Sequence, residues 1–446
     1  MRRAIGALAA AVIFAPAADP ATASARRRSP IVEAVEAVLP AVVNIGTEEL
    51  VRVVPADPLQ QFRGELFDRL FGDFFRQPPS PGYQVRHSLG SGVIVDSLGF
   101  ILTNFHVIER ATTVRVTLVD GRTFPAQLIA GDELSDLALI RIDAPEPLPE
   151  VRFARDGDVM LGEPAIAVGH PFGLSHTVTV GVISSRNREA RYRGQVIFRD
   201  ILQTDAAVNP GSSGGPLLNA DGELMGINVA IHQEGQNIGF AVPVHRARAL
   251  LTQWLSPRLL RHLSVRLDLE ERDGRLLVAA GDGPPAPLRA GDRIGGINGR
   301  AVASLLDYHR LLLRVRPGDR LRIAAERDGR PVLAEVEVGP YEFPDGVRLA
   351  MARLGLVLEP PAAEDPVRGG LRISGVREGG PAARAGLRPG LRVTRIGGRA
   401  VGRLEEVGAT LETVRPGDTV ALSVAAVERA EGLIVARTHT LAVVAE

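Results

Sequence analysis

The chain has 446 residues, 45% of them apolar, and a formal net charge of +0. That length implies about three domains rather than one core, and a balanced charge leaves no electrostatic footprint for nucleic acid. Cys is absent and all 52 basic side chains are Arg. Disulfides, thiolate metal sites, a Cys nucleophile, a Ser-Lys dyad, a Schiff base and a P-loop are therefore excluded.

The N-terminus reads MRRAIGALAAAVIFAPAADPATASA. Arg2 and Arg3 precede an apolar run from Ala4 to Phe14, and Ala23-Ser24-Ala25 offers small residues for cleavage, so residues 1–25 read as a secretory signal peptide. The run is short for a membrane span, and an uncleaved anchor is the alternative; no later segment has the ~18 consecutive apolar residues a span needs. Residues 29–39 place Ile31, Val32, Val35 and Val38 at helical spacing, and Pro40 ends the pattern. A short buried strand follows at 41–45. Residues 48–84 then crowd many of the chain's 14 Phe residues into one Pro-closed insertion. Its Phe side chains either form a partner-binding patch or tuck against their own protein.

Short strands punctuated by Gly continue over 89–95, 100–103, 114–118, 123–129, 137–142, 165–168, 177–184, 217–218, 225–231 and 238–242. Such spacing indicates a barrel or sandwich rather than an α/β sheet. Helical spacing over 244–254 closes the block. Beyond Pro257 two segments resemble each other: AGDRIGGING from Ala290 answers PGLRVTRIGG from Pro389, and each is followed by a helical stretch, then Arg-Pro-Gly-Asp (316–319 and 415–418), then paired strands. An offset of about 100 residues marks duplicated domains rather than solenoid repeats, joined near 340–345.

The stretch TDAAVNPGSSGGPL, from Thr204 to Leu217, sets two serines among glycines. A Gly-flanked serine can aim backbone N–H groups at one point, as acyl transfer requires. The oxyanion donors are the N–H of the nucleophile and of the residue two positions earlier. For Ser212 the second donor would be Pro210, which has no N–H; for Ser213 it is Gly211. Ser213 is therefore the expected nucleophile, with Gly211 and Ser213 forming the oxyanion hole. A serine hydroxyl needs a base, itself oriented by a third group. His106 follows a strand end at Thr103-Asn104. Of the two nearby carboxylates, Asp132 sits in a turn after Gly131, whereas Asp136 enters the apolar run Leu137 to Ile140. A buried carboxylate persists only when hydrogen-bonded, and an imidazole N–H supplies that bond, so Asp136 is expected to orient His106. His170 and His176 flank a loop but lack a third metal ligand, and nothing in the chain calls for a cofactor.

In this order, His, Asp, Ser, the residues match a chymotrypsin-like arrangement. The chain resembles the HtrA (Deg, protease Do-like) family, on LPAVVNI at Leu39, LGSGVIVDSLGFILTNFHVI at Leu89, SDLALIRI at Ser135, GHPFGLSHTVTVGVIS at Gly169, QTDAAVNPGSSGGPLLN at Gln203 and GINVAI with IGFAVPV after it. The resemblance implies a mainly β chain: a trypsin-like double β-barrel protease domain over 26–256, then two PDZ domains, small partly open β-barrels, over 257–342 and 346–446. It implies an ATP-independent endopeptidase of the periplasm acting on unfolded or damaged polypeptides, assembled as trimers or multiples of trimers, with the Phe-rich insertion reaching a neighbouring subunit. It also places Val208 and Ile231 on the walls of the specificity pocket, which favours small apolar residues. Two positions depart from the family's pattern, Ser212 in place of Asn and His170 before Pro171. A scaffold or chaperone without proteolysis is the rival reading.

PDZ domains capture a chain end by strand addition, its carboxylate held by loop amides. Leu354-Gly355-Leu356 fits that loop in the second module. The first module has Leu263-Ser264-Val265 at the equivalent place, without Gly, and is expected to bind peptide weakly or differently.

Overall fold

The computed structural model describes residues 27–53, 82–109, 111, 113–170, 176–192, 195–209, 211–229, 238–280, 285–361, 370–412, 414–430 and 433–446. The signal-like segment, the body of the Phe-rich insertion, Ile231 and the loop at 171–175 lie outside the described residues.

Helix α1 (Pro30–Val38) starts where Ser29 accepts the Val32 N–H, with Pro30 at the first position, and it buries Ala34 and Val38. The first barrel comprises β1 (Val42–Val53), β2 (Gly82–Asp96), β3 (Phe100–Thr103), β4 (Thr113–Thr117), β5 (Thr123–Asp132) and β6 (Leu137–Ile142), with the short helix α2 (Phe105–Ile108) after β3. Antiparallel neighbours run β1-β2-β3-β6-β5-β4 and back to β1. Closure leaves no free sheet edge. Ile45, Ile94, Ile101, Val116 and Ile140 meet in one cluster of this barrel.

The second barrel repeats that connection order. It uses β8 (Pro164–Gly169), β9 (Thr177–Tyr192), β10 (Gln195–Thr204), β11 (Pro216–Leu218), β12 (Glu223–Val229) and β13 (Gly239–Pro243), with β7 (Arg152–Phe153) added in parallel to β12. The ring runs β8-β9-β10-β13-β12-β11 and back to β8. The sequence pattern did not predict β10. Its pairing with β9 slips at several positions and Asp200 takes φ 56, so the alternation that signals a strand is broken. Helix α3 (Val244–Trp254) closes the unit by burying Val244, Ala247, Leu251 and Trp254 in the cluster shared by both barrels, with Val93, Leu102, Leu139, Ile166 and Ile227.

After α4 (Pro257–Arg261) the first module contains β14 (Leu263–Val265), β15 (Leu269–Arg272), β16 (Arg275–Val278), β17 (Arg293–Ile297), β18 (Arg300–Ala301), α5 (Leu305–Leu312), β19 (Arg320–Arg327) and β20 (Arg330–Pro340). The second contains α6 (Gly346–Leu354), β21 (Leu356–Glu359), β22 (Leu371–Val376), α7 (Pro381–Arg384), β23 (Arg392–Ile396), β24 (Arg399–Ala400), α8 (Leu404–Leu411), β25 (Thr419–Ala430) and β26 (Leu433–Val444). The duplication read from sequence holds at atomic level: Asp319 accepts the Arg316 N–H and Asp418 the Arg415 N–H, each at 2.8 Å. Both modules dock on the barrels. Helix α5 adds Leu306 and Leu313 to the shared cluster, and its Arg310 with nearby Arg314 meets the fully buried Asp96 at 2.8 Å each. Strand β24 pairs with β5 through Arg399 and Ala130.

Candidate active site

His106 lies in α2 and Asp136 in the turn before β6, both buried. His106 Nδ1 is 2.7 Å from Asp136 Oδ2, and the His106 main-chain N–H donates to Asp136 Oδ1 at 2.9 Å. The carboxylate thus fixes the ring and also takes a first-turn amide of the helix that carries it, where helices lack internal acceptors for their donors. The Asp136 carbonyl accepts from the Phe105 N–H and from Asn104 Nδ2, at 3.1 and 2.9 Å. Asp136 takes φ 51, a left-handed conformation that Asp tolerates and that turns its side chain out of the strand direction. Asp132 is placed differently: its carboxylate accepts the Ser135 N–H at 3.1 Å and so builds the turn.

Ser213 is buried in the loop before β11, with Gly211 at φ 92 two residues earlier. The Ser213 carbonyl accepts the Ser91 N–H at 2.8 Å. Gly214 donates to the Asn228 carbonyl at 3.0 Å and takes φ 84, where a Cβ would strike Ser91 O and Thr103 Oγ1. Only Gly satisfies both the angle and the approach. The serine loop therefore rests directly on the Thr103-Asn104 segment that leads into the histidine helix. The Ser212 side chain is turned elsewhere, against the Gly169 backbone, where a Cβ on Gly169 would lie 2.6 Å from Ser212 Oγ.

Ser91 is the residue that sequence reasoning missed. It is fully buried in β2. Its hydroxyl accepts the His170 N–H at 2.8 Å and donates to the Gly211 carbonyl at 2.6 Å. Its carbonyl accepts from Thr103 Oγ1 at 2.7 Å. One residue thus holds the carbonyls of both residues whose N–H groups are expected to serve as oxyanion donors. The available signal was Gly90-Ser91-Gly92 inside an otherwise apolar strand, since glycines within strands mark close backbone approach.

Val208 is partly buried and packs against the shared cluster and that of the second barrel. The His170 and His176 rings are 4.5 Å apart, and burial, then the neighbouring His176, hold the His170 imidazole below its ordinary value. Among the described residues no group of three or more His, Asp or Glu converges to hold a metal. In the second module Leu354 ends α6 and Gly355 caps it, its N–H donating to the Met351 carbonyl at 3.1 Å. In the first module Leu263-Ser264-Val265 is strand β14, paired with β20.

Two closed barrels of one connection order, with an imidazole–carboxylate pair on the first and a glycine-bounded serine on the second, define a trypsin-like serine peptidase. Residues 90–227 match the family described as a trypsin-like peptidase domain, and residues 267–338 and 372–425 each match a PDZ domain. A "probable periplasmic serine endoprotease DegP-like" of Halomonas elongata is 34% identical over 426 residues, covering 86% of this chain and 88% of that protein. The "periplasmic pH-dependent serine endoprotease DegQ" of Escherichia coli is 34% identical over 378 residues, covering 79% of this chain and 80% of that one. The solved structure "HtrA-type protease AlgW with decapeptide" is 32% identical, with a TM-score of 0.40 over 71% of this chain and 100% of that one. The chain belongs to the HtrA family of DegP-like serine endoproteases with two PDZ domains, and it is a serine protease of the periplasm.

Proposed function

We propose that the chain cleaves unfolded or damaged polypeptides through an acyl-enzyme, with Ser213 as nucleophile, His106 as base and Asp136 as the carboxylate that orients it. The observation that carries this reading is the 2.7 Å contact between buried His106 Nδ1 and Asp136 Oδ2. With Nδ1–H donated to Asp136, Nε2 accepts the hydroxyl proton as Ser213 Oγ attacks the scissile carbonyl. The N–H groups of Gly211 and Ser213 hold the oxyanion. The imidazolium then protonates the leaving amine, and water repeats the sequence on the acyl-enzyme. By the family resemblance, Val208 and Ile231 are the specificity residues, and their aliphatic side chains favour small apolar residues at the cleavage site.

The proposed domain limits are 26–256, 257–342 and 346–446, after a signal peptide over 1–25. Exposed C-terminal peptides are the ligands of the second PDZ domain at Leu354-Gly355-Leu356. A peptide carboxylate there competes with the last turn of α6 for the Gly355 N–H. The assembly is a homotrimer or a multiple of it, which sedimentation of the pure protein tests.

The decisive assay is degradation of unfolded casein. Ser213→Ala is expected to lower kcat by on the order of 10⁶, while Ser212→Ala keeps its activity. Equal activity of the two variants removes Ser213 from the role, and a wild-type protein that holds casein without cutting it supports the scaffold reading.

A further inference from the structure

The second PDZ domain makes contacts with the barrels that peptide capture does not require. Its Gly397-Gly398 turn, between β23 and β24, reaches the end of β5, where the Gly398 carbonyl accepts the Gly131 N–H at 2.9 Å and Arg399 pairs with Ala130. A Cβ on Gly398 would strike the Gly131 carbonyl, and one on Gly131 would lie 2.6 Å from the Phe105 ring. Turn, strand and ring are stacked with no room for a side chain between them.

An arginine on either side fixes the turn. Arg399 is buried and donates to the Gln253 and Trp254 carbonyls, both at 2.5 Å, at the end of α3 where helix carbonyls lack internal donors. Burial pulls its guanidinium down to about 10. Arg395 lies over the Phe105 ring, 5.0 Å from its centroid, with Glu109 and Glu133 as the acidic groups around it. The equivalent turn of the first PDZ domain, Asn298-Gly299, instead bonds within its own module, Asn298 Oδ1 accepting the Arg322 N–H at 2.8 Å.

Phe105 is the residue before His106, and its N–H donates to the Asp136 carbonyl. Strand β5 runs into the turn that presents Asp136. We infer that Arg395 and the Gly397-Gly398 turn of the second PDZ domain are positioning elements of the catalytic centre, fixing Phe105 and the end of β5 and, through them, the meeting of His106 with Asp136. The inference rests on the triad proposed above. A positioning role acts on the chemical step, because small misplacements of reacting groups cost rate even when binding is intact.

The test uses the full chain and a short valine p-nitroanilide peptide, too small to bridge protease and PDZ sites. Arg395→Ala is expected to lower kcat about 10-fold with KM within about twofold. Arg395→Lys restores most of the rate, because an ammonium also sits over an aromatic face. Gly398→Ala reproduces the loss. Arg384→Ala, whose partners are Gly379 and Glu446, leaves kcat unchanged. Should Arg395→Ala lose its fold, Arg395→Gln removes the charge at similar length and gives the same reading. Unchanged kcat in the Arg395 and Gly398 variants, or a change in KM alone, overturns the inference. A wild-type protein inactive on both casein and the peptide overturns the triad reading instead.

Discussion

Removing the Ser91 hydroxyl separates anchoring of the oxyanion loop from anchoring of the nucleophile. Ser91→Ala strands the buried His170 N–H and the Gly211 carbonyl, which the hydroxyl joins at 2.8 and 2.6 Å. The Ser91 main-chain bonds to Ser213 O and from Thr103 Oγ1 do not involve the hydroxyl and survive. Two net hydrogen bonds are worth about 1 kcal/mol each and a stranded buried donor adds about 1–3 kcal/mol, so the expected destabilisation is about 3–5 kcal/mol. Losing an oxyanion donor outright costs ~10²–10³ in kcat. A Gly211 peptide that is released but still tethered at both ends should cost less, about 10–100-fold. Steady-state hydrolysis of the valine p-nitroanilide peptide, with urea unfolding of the same samples, measures both quantities. A folded Ser91→Ala protein with kcat within about twofold of wild type would refute the reasoning, since Gly211 would then be aligned without the serine.

Two further outcomes follow from local chemistry. The His170 imidazole is held below its ordinary value of 6.5, so the unfolded chain binds its proton more readily. Its contribution is complete above that value and is lost as pH falls through it toward the folded value. Urea midpoints should therefore decline from pH 8 to pH 5, His170→Gln should flatten that decline, and an identical slope in the variant counts against the assignment. At α6, Asp345 caps the helix by accepting the Arg348 N–H at 3.0 Å. Removing such a cap costs a helix about 1 kcal/mol, so Asp345→Ala should free the Gly355 amide and tighten binding of a labelled peptide with a free carboxylate about fivefold. Fluorescence anisotropy reads this directly, and unchanged affinity means that the helix does not compete.

The fold was legible where local pattern and tertiary role coincide. Strands β3 and β6 match their expected limits, since each is a mostly apolar run between turn residues, and α3 is read from the spacing of Val244, Ala247, Leu251 and Trp254. The paired Arg-Pro-Gly-Asp turns revealed the duplication for the same reason. Strand β10 was hidden because its slips destroy the period of two. The choice of Asp136 over Asp132 came from the apolar run that follows it; Asp132 accepts the Ser135 N–H in its turn, while Asp136 Oδ2 lies 2.7 Å from His106 Nδ1. Ser91 and the docking of β24 on β5 stayed out of reach, because each depends on a partner more than a hundred residues away and leaves only isolated glycines as a local trace.

The central claim is that His106 and Asp136 activate Ser213, and covalent labelling with a fluorophosphonate tests it most directly. Mass spectrometry should find the adduct on Ser213, none at that site in Ser213→Ala, and labelling slowed by roughly 10⁴ in Asp136→Asn, where the ring loses its required tautomer. An adduct on Ser212, or labelling of Asp136→Asn at the wild-type rate, would contradict the account.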